Sequence, residues 1–236
     1  MKAAGGLQAV FFDFDGVIAD SEPLHLRAYQ QVLERDGIEL TKSDYYARYL
    51  GYDDVGLFEA LARDRHMALT ADTLDHWMAA KSDIVEEMLT SGSVLFPGAA
   101  ACVKTFAERV PLVVASGALE PEIAIVLEHA GLRDCFVAIA SASDGVRGKP
   151  APDLYLLAMA KLRDRLTRVF DPSACIAIED SLWGLEAARG AGLRCVAVTH
   201  TYPAAELGKA DLIVDTLGDI TPSKIEELLR DNSTPQ

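Results

Sequence analysis

At 236 residues, half of them hydrophobic, the chain is long enough to bury a full core, either as one large domain or as a core with an insert, and it falls outside the disordered class. A formal net charge of -14 sets nucleic-acid backbones and anionic membranes aside as partners, and it means that an anionic substrate needs a local cation at its site. No apolar run nears the roughly 20 residues that span a bilayer, the N-terminal apolar run carries no cleavage-site pattern, and four widely spaced cysteines without a Cys-x-x-Cys pair read as free core thiols, so the cytoplasm is the expected location.

The first element is Ala9-Val10-Phe11-Phe12, an uncharged run that stops at Asp13-Phe14-Asp15-Gly16. Such a run reads as a buried strand of a parallel sheet. Unpaired buried charge is costly, so the aspartates belong where the strand emerges at its C-terminal end, the place where open α/β sheets bind ligands. At Asp20-Ser21-Glu22-Pro23 the pattern turns helical, with Asp20 or Ser21 as cap and Pro23 in the first turn. From Leu24 to Leu95 only helical periodicity follows, which reads as a small bundle of about 70 residues, a size that can pack by itself.

Phe96-Pro97-Gly98 marks a return. Strands and helices then alternate: strand 111–115, helix 120–129, strand 136–139, helix 153–166, strand 174–178, helix 182–188, strands 194–198 and 212–214, and helix 222–229. The polar residues 231–236 are expected to fray. Alternation of this kind gives a parallel sheet covered on both faces. The expected fold is therefore α/β, a Rossmann-like parallel-sheet core of residues 1–20 and 96–236 with an inserted α-helical bundle, residues 21–95, as cap. An insert directly after the first strand would act as a lid that excludes water and selects substrates.

Four stretches carry chemistry. Asp13-x-Asp15-Gly16 places two carboxylates at a strand tip, enough to hold a hard cation and leave an oxygen for reaction. A turn is the bland alternative. A calcium loop is not, because its glycine falls at the sixth position and Gly16 is at the fourth. Ser116-Gly117 closes the apolar strand 112–115 with a hydroxyl and a flexible backbone that suit phosphate oxygens; alone it also reads as an N-cap with a turn glycine. No glycine stands two before Ser116, so it is not a serine-hydrolase elbow. Gly148-Lys149-Pro150 holds a lysine at a loop-to-helix junction, and Ser143 and Pro150 rule out a Walker loop; the bland alternative is a surface lysine. Ile176-Ala177-Ile178 ends in Glu179-Asp180, helix caps or the rest of an oxygen-rich metal site. Chance capping does not predict the four together.

In this order, Asp13-Phe14-Asp15-Gly16-Val17, Ser116, Lys149 and Glu179-Asp180 resemble the four motifs of the haloacid dehalogenase-like hydrolases. The phrases GKPAPD and IEDS look like the phosphoglycolate phosphatase and β-phosphoglucomutase branch, which carries a helical cap after the first motif. The resemblance spans nearly the whole chain. It implies that Asp13 is the nucleophile, forming an aspartyl-phosphate, and that Asp15 is the acid and base. Mg²⁺ would lie among Asp13, the backbone carbonyl of Asp15, Glu179 and Asp180, with Ser116, Gly117 and Lys149 binding the phosphoryl oxygens. True dehalogenases lack the second aspartate, so Asp15 argues for phosphate chemistry.

His25 and Lys81 fall where the sugar-phosphate mutases of this branch have cap residues that contact the site; a packing histidine and a solvated helix face are the alternatives. Those mutases also carry a cap arginine shortly after a glycine, for the second phosphate. Here the chain reads Gly51-Tyr52-Asp53-Asp54, which favours a phosphatase over a mutase. The expectation is a Mg²⁺-dependent phosphomonoester hydrolase acting on a small phosphorylated metabolite. A β-phosphoglucomutase-like mutase and a non-catalytic phosphate-binding protein are the competing readings. The expected state is a monomer or weak homodimer, with neither nucleic acid nor membrane as partner.

Overall fold

The structure is a computed structural model and describes residues 6–50, 52–92 and 94–230. The expected fraying of 231–236 and the glycine of Gly51-Tyr52-Asp53-Asp54 lie outside those residues. The chain divides into two compact units, Met1–Asp20 with Ser93–Gln236, and Ser21–Gly92.

In the first unit, six strands are described: β1 (Ala9–Phe12), β2 (Leu112–Ala115), β3 (Phe136–Ala140), β4 (Cys175–Glu179), β5 (Arg194–Val198) and β6 (Leu212–Val214). They form one parallel sheet in the order β3-β2-β1-β4-β5-β6. The first strand lies in the middle because the connections run one way to β2 and β3, then cross back to β4. Strand order therefore reverses between β1 and β4, the switch point at which such sheets leave a crevice at their carboxyl ends. Every residue of β1, β2 and β4 is buried, as expected of apolar strands covered on both faces, and the one charged residue among them is Glu179 at the end of β4. Side chains alternate between faces. Ala9 and Phe11 join Val113, Ala177 and Cys195 in a core shared with Leu154, Tyr155, Ala158 and Leu185, whereas the ring of Phe12 meets that of Phe136 5.9 Å away.

The helices of this unit take numbers after the four described below: α5 (Ala99–Ala107), α6 (Glu120–His129), α7 (Asp153–Leu166), α8 (Leu182–Gly190) and α9 (Pro222–Arg230). The alternation read from the sequence did not include α5. It follows Pro97-Gly98 directly, and its buried stripe is Ala99, Cys102, Val103 and Phe106. Pro111 lies outside β2, and Glu179 is the last residue of β4 rather than the first beyond it. Ser181 caps α8, accepting the Gly184 N–H at 3.1 Å, so neither acid of Glu179-Asp180 is the cap. All four cysteines are free, and burial pushes the thiols of Cys102, Cys175 and Cys195 up to about 12, which keeps them unreactive.

Two stretches of this unit run side by side at the edge of the insert. Ala19 and Leu95 form an antiparallel bridge, the Asp20 N–H donates to the Val94 carbonyl at 2.7 Å, and the Phe96 N–H donates to the Ile18 carbonyl at 3.0 Å.

The second unit is helical: α1 (Glu22–Glu34), α2 (Lys42–Asp44) running into a π-turn (Tyr45–Tyr49), α3 (Asp54–Asp64) and α4 (Ala71–Ser91). Thr41, Asp53 and Thr70 cap α2, α3 and α4 through their side chains. Ser21 stands at the N-cap of α1 without such a bond, and Asp20 precedes it, so the expected side-chain cap is not made. The interior is aromatic: Phe58 meets Tyr29 at 5.4 Å and Trp77 at 5.2 Å between ring centroids. No described helix is long and apolar enough to cross a membrane.

Candidate active site

Three neighbouring strands deliver the site. Asp13 follows β1 and stays tied to the sheet through its N–H, which donates to the Ile178 carbonyl of β4 at 3.0 Å. Glu179 and Asp180 end β4 on one side, and Ser116 ends β2 on the other, its N–H donating to the Ala140 carbonyl at 3.0 Å. Asp13, Ser116, Glu179 and Asp180 are all buried polar residues. Polar groups are seldom left in such places without partners, and Asp13 and Glu179 share one, Lys149.

Lys149 is the pivot. Its Nζ lies 2.8 Å from Asp13 Oδ1 and 2.6 Å from Glu179 Oε1, and its side chain is only 13% exposed, so it is not a surface lysine. Burial works against its charge, but Asp13 and Glu179 outweigh burial and hold the ammonium firmly protonated. An ammonium has three N–H bonds. Two are taken by these carboxylates, which leaves one for an incoming oxygen.

Asp13, Glu179 and Asp180 each offer a carboxylate oxygen within 4.8 Å of the others. Burial first, and then the charge of Asp13, raise both Glu179 and Asp180 above the ordinary carboxylate range, and Lys149 opposes this in each case. Glu179 Oε2 is buried without a hydrogen-bond partner. Three converging carboxylates, one of them with a buried oxygen that has no hydrogen-bond partner, are the oxygen donor chemistry of a hard divalent cation. The residues fit Mg²⁺ as they fit other hard divalent cations. The Asp15 carboxylate is not among the three.

Ser116 accepts the Ala118 N–H at 3.1 Å on its Oγ, so its own O–H is left to donate outward. It is not a helix cap, since α6 begins at Glu120 with Leu119 at its N-cap. Gly117 is exposed, and a Cβ built there meets nothing within 4 Å.

Two glycines are fixed by the acids. A Cβ on Gly16 would stand 2.0 Å from Asp180 Oδ2, at φ +76°. A Cβ on Gly184 would stand 1.9 Å from Glu179 Oε2.

Three contributors were missed in the sequence. The Tyr155 hydroxyl, on α7, donates to Glu179 Oε1 at 2.6 Å. Thr201 hydrogen-bonds Asp180, partly offsetting the effects of burial and of Asp13 on its carboxyl. His200 Nδ1 lies 2.9 Å from the Gly16 carbonyl, a pairing that requires the proton on Nδ1, and its ring stacks on Phe96 at 4.0 Å. The last two carried a readable signal, since Thr199-His200-Thr201 is another polar stretch ending an apolar strand. Tyr155 carried none beyond its place on the buried face of a helix.

His25 and Lys81 belong to the helical unit. Lys81 is buried, 2.9 Å from Asp54, with its Nζ 5.3 Å from the Tyr29 ring centroid, so its solvated-face alternative does not hold. Tyr29 also donates to Asp54, and Tyr45 to Glu22. Burial, and then Lys81, pull His25 down to about 4, with Asp54 opposing.

Strand order and site together define a Rossmann-like α/β fold with a candidate carboxylate nucleophile and an acid cluster that could hold a cation at the carboxyl ends of its strands. A family model for haloacid dehalogenase-like hydrolases matches residues 7–192, and the chain belongs to that family. Protein CbbY of Rhodobacter capsulatus is 30% identical over 236 residues, covering 94% of this chain and 99% of its own. Fructose-1-phosphate phosphatase YqaB of Escherichia coli (strain K12) is 30% identical over 190 residues, 80% of this chain and 95% of its own. The chain is 33% identical over 94% of its length to Protein SUPPRESSOR OF QUENCHING 1, chloroplastic, of Arabidopsis thaliana, but spans only 21% of that protein. The crystal structure of CbbY from Rhodobacter sphaeroides in complex with phosphate superposes with a TM-score of 0.78 at 27% identity, over 90% of this chain and 96% of that one. These likenesses fall within the phosphoglycolate phosphatase and β-phosphoglucomutase-like branch, and the chain is an enzyme of the phosphatase class.

Proposed function

We propose that the protein is a Mg²⁺-dependent phosphomonoester hydrolase of a small phosphorylated metabolite, with Asp13 as nucleophile and Asp15 as acid and base. The observation that carries this is the Asp13–Lys149–Glu179 bridge beside Asp180. It places a candidate nucleophile next to a buried, permanently charged lysine, within a set of acids that suits a cation.

In this reading an Asp13 oxygen attacks phosphorus, and the bond from phosphorus to the leaving oxygen breaks as Asp15 supplies that oxygen with a proton. Asp15 then takes a proton from water, the water oxygen attacks phosphorus, and the Asp13–phosphorus bond breaks to release phosphate and restore the carboxylate. The third Lys149 N–H, the Ser116 hydroxyl and the backbone at Gly117 bind non-bridging oxygens, where charge accumulates in the transition state. A divalent cation held by Asp13, Glu179, Asp180 and the Asp15 carbonyl would supply the charge that offsets repulsion between carboxylates and phosphate. That the similar CbbY crystallises in complex with phosphate supports phosphate chemistry for this fold.

In the same proposal the helical unit is the cap, and His25 and Lys81 read the leaving group. Lys81 is already paired with Asp54, and His25 is neutral at pH 7, so neither offers a free positive charge to a second phosphate. That favours monophosphates and a phosphatase over a bisphosphate-using mutase. YqaB's name supports a phosphorylated sugar as the substrate class. The free thiols support a reducing compartment, the cytoplasm, and we take the protein to be a monomer or weak homodimer.

The test is release of p-nitrophenol from p-nitrophenyl phosphate, with Mg²⁺ and with EDTA, by wild type and Asp13→Asn. Hydrolysis confined to wild type with Mg²⁺ supports the reading. Equal rates for the two proteins sink it.

A further inference from the structure

One side chain meets both Lys149 and Glu179 of the acid–lysine bridge and belongs to none of the motifs. Tyr155 lies on α7, fully buried, and its hydroxyl donates to Glu179 Oε1 at 2.6 Å, the same oxygen that receives Lys149 at 2.6 Å. Its ring faces the same ammonium, with Lys149 Nζ 5.4 Å from the centroid. On its other contact the ring packs at 6.5 Å against Phe11, two residues before Asp13 on β1. Tyr155 therefore meets the lysine with its face, the glutamate with its hydroxyl and the nucleophile's strand with its flank.

The hydrogen-bond inventory says what this does. Glu179 Oε1 accepts from two donors, and Oε2 accepts from none. A carboxylate with both strong donors on one oxygen cannot turn about its last bond without breaking both, so the other oxygen is held in place. Oε2 occupies the space a Cβ at Gly184 would need, 1.9 Å from that position, so the carboxylate is packed directly against the backbone of α8. Lys149 thus shares Glu179 Oε1 with the Tyr155 hydroxyl while also lying 2.8 Å from Asp13.

Building on the phosphatase reading above, we propose that Tyr155 is a positioning residue: its hydroxyl fixes the Glu179 carboxylate so that one oxygen is shared with Lys149 and the other stays available to a divalent cation. Partners of this kind, one step removed from a metal ligand, typically govern about 10–100-fold in affinity or activity. The aromatic ring alone, which Phe would also supply, is not sufficient for that role.

The decisive experiment is calorimetric titration of the full-length chain with Mg²⁺ alone, for wild type, Tyr155→Phe, Glu179→Gln and the double variant, with thermal unfolding of each. Inhibition of p-nitrophenyl phosphate hydrolysis by inorganic phosphate is measured alongside. Tyr155→Phe keeps the ring, the Phe11 contact and the face toward Lys149. The expected result is a melting temperature close to wild type, a Mg²⁺ dissociation constant raised about 10–100-fold, and weaker phosphate inhibition. In the Glu179→Gln background the same change is expected to add less than about twofold, because its route of action is gone. A packing role predicts instead that Tyr155→Phe binds Mg²⁺ and phosphate within about twofold of wild type. That result overturns the proposal, as does an equal loss in both backgrounds. A wild type that neither binds Mg²⁺ nor hydrolyses the substrate overturns the phosphatase reading, and this proposal with it.

Discussion

Gly184 and Glu179 share one space: a Cβ on the glycine would lie 1.9 Å from Oε2 and 2.1 Å from the carboxylate carbon. Because Glu179 is held by Lys149 and Tyr155, the intruding methyl would have to push the carboxylate off both. Gly184 lies inside α8, where alanine is otherwise about 1 kcal/mol better than glycine. Gly184→Ala should therefore change unfolding free energy by no more than about 1–2 kcal/mol while Mg²⁺-dependent turnover falls at least tenfold. Urea unfolding and p-nitrophenyl phosphate hydrolysis measure the two halves. Full activity in this variant would mean that the Glu179 position is not critical.

Asp54 is the partner that makes a buried Lys81 tolerable. Taking it away leaves an ammonium without its counter-charge among apolar side chains. Asp54→Ala should destabilise the helical unit by about 3–5 kcal/mol, and adding Lys81→Met should recover most of that, since an apolar replacement of a buried pair is often neutral. Chemical denaturation of the single and double variants decides it. A double variant no better than the single would refute the charge explanation.

His25 gives a pH dependence whose sign is fixed. Its folded value is about 4 and its ordinary value 6.5, because burial and Lys81 on α4 outweigh Asp54 on α3. Between these values the unfolded chain binds a proton that the folded chain refuses, so the contribution of His25 to stability falls as pH drops from about 6.5 to about 4. Relative to His25→Gln, wild type should lose on the order of 1–3 kcal/mol across that window and nothing above it. The comparison is made by unfolding both proteins at pH 7.5, 6 and 4.5. A constant difference would rule it out.

Mg²⁺ should raise the melting temperature of wild type over that in EDTA, because a cation relieves the mutual repulsion of Asp13, Glu179 and Asp180. At 100 times its dissociation constant a ligand stabilises the folded state by about 2.7 kcal/mol. Asp180→Asn removes one carboxylate and should abolish most of the shift, with little change in the EDTA melting temperature. Differential scanning fluorimetry settles the matter, and an undiminished shift in Asp180→Asn would place the cation elsewhere.

How legible the molecule was depends on how local each feature is. The tips of β1 and β4 announced themselves because an apolar run that stops at acids has only one physically cheap place to put them. The helix at 153–166 and the strands at 194–198 and 212–214 kept their predicted bounds, being flanked by Pro, Gly or polar punctuation. Helix α5 was not read because it is only nine residues long and opens on a run of three alanines directly after Pro97-Gly98. What sequence could not supply was partnership at a distance. Tyr155 meets a carboxylate 24 positions away, and Lys81 one 27 positions away; periodicity placed both on helices but carried no information about what their polar ends would find. For Lys81 its burial removed the alternative of a solvated helix face. For Ser116 and Lys149 the structure removed the bland alternatives, a helix cap and a surface charge, by putting the cap elsewhere and the charge in the interior.

The bridge between Ala19 and Leu95, with its two flanking hydrogen bonds, means that the chain departs from the sheet unit and returns to it at a single stitched point. Joining those two ends with a short turn closes a hairpin rather than a wide gap, and the entropy of loop closure changes only slowly with the length of what is inserted. Lengthening, shortening or exchanging the segment 21–92 thus places little demand on the sheet that holds Asp13, Ser116 and Glu179. The part of the molecule proposed to choose the substrate is free to diversify while the part that performs the chemistry stays as it is.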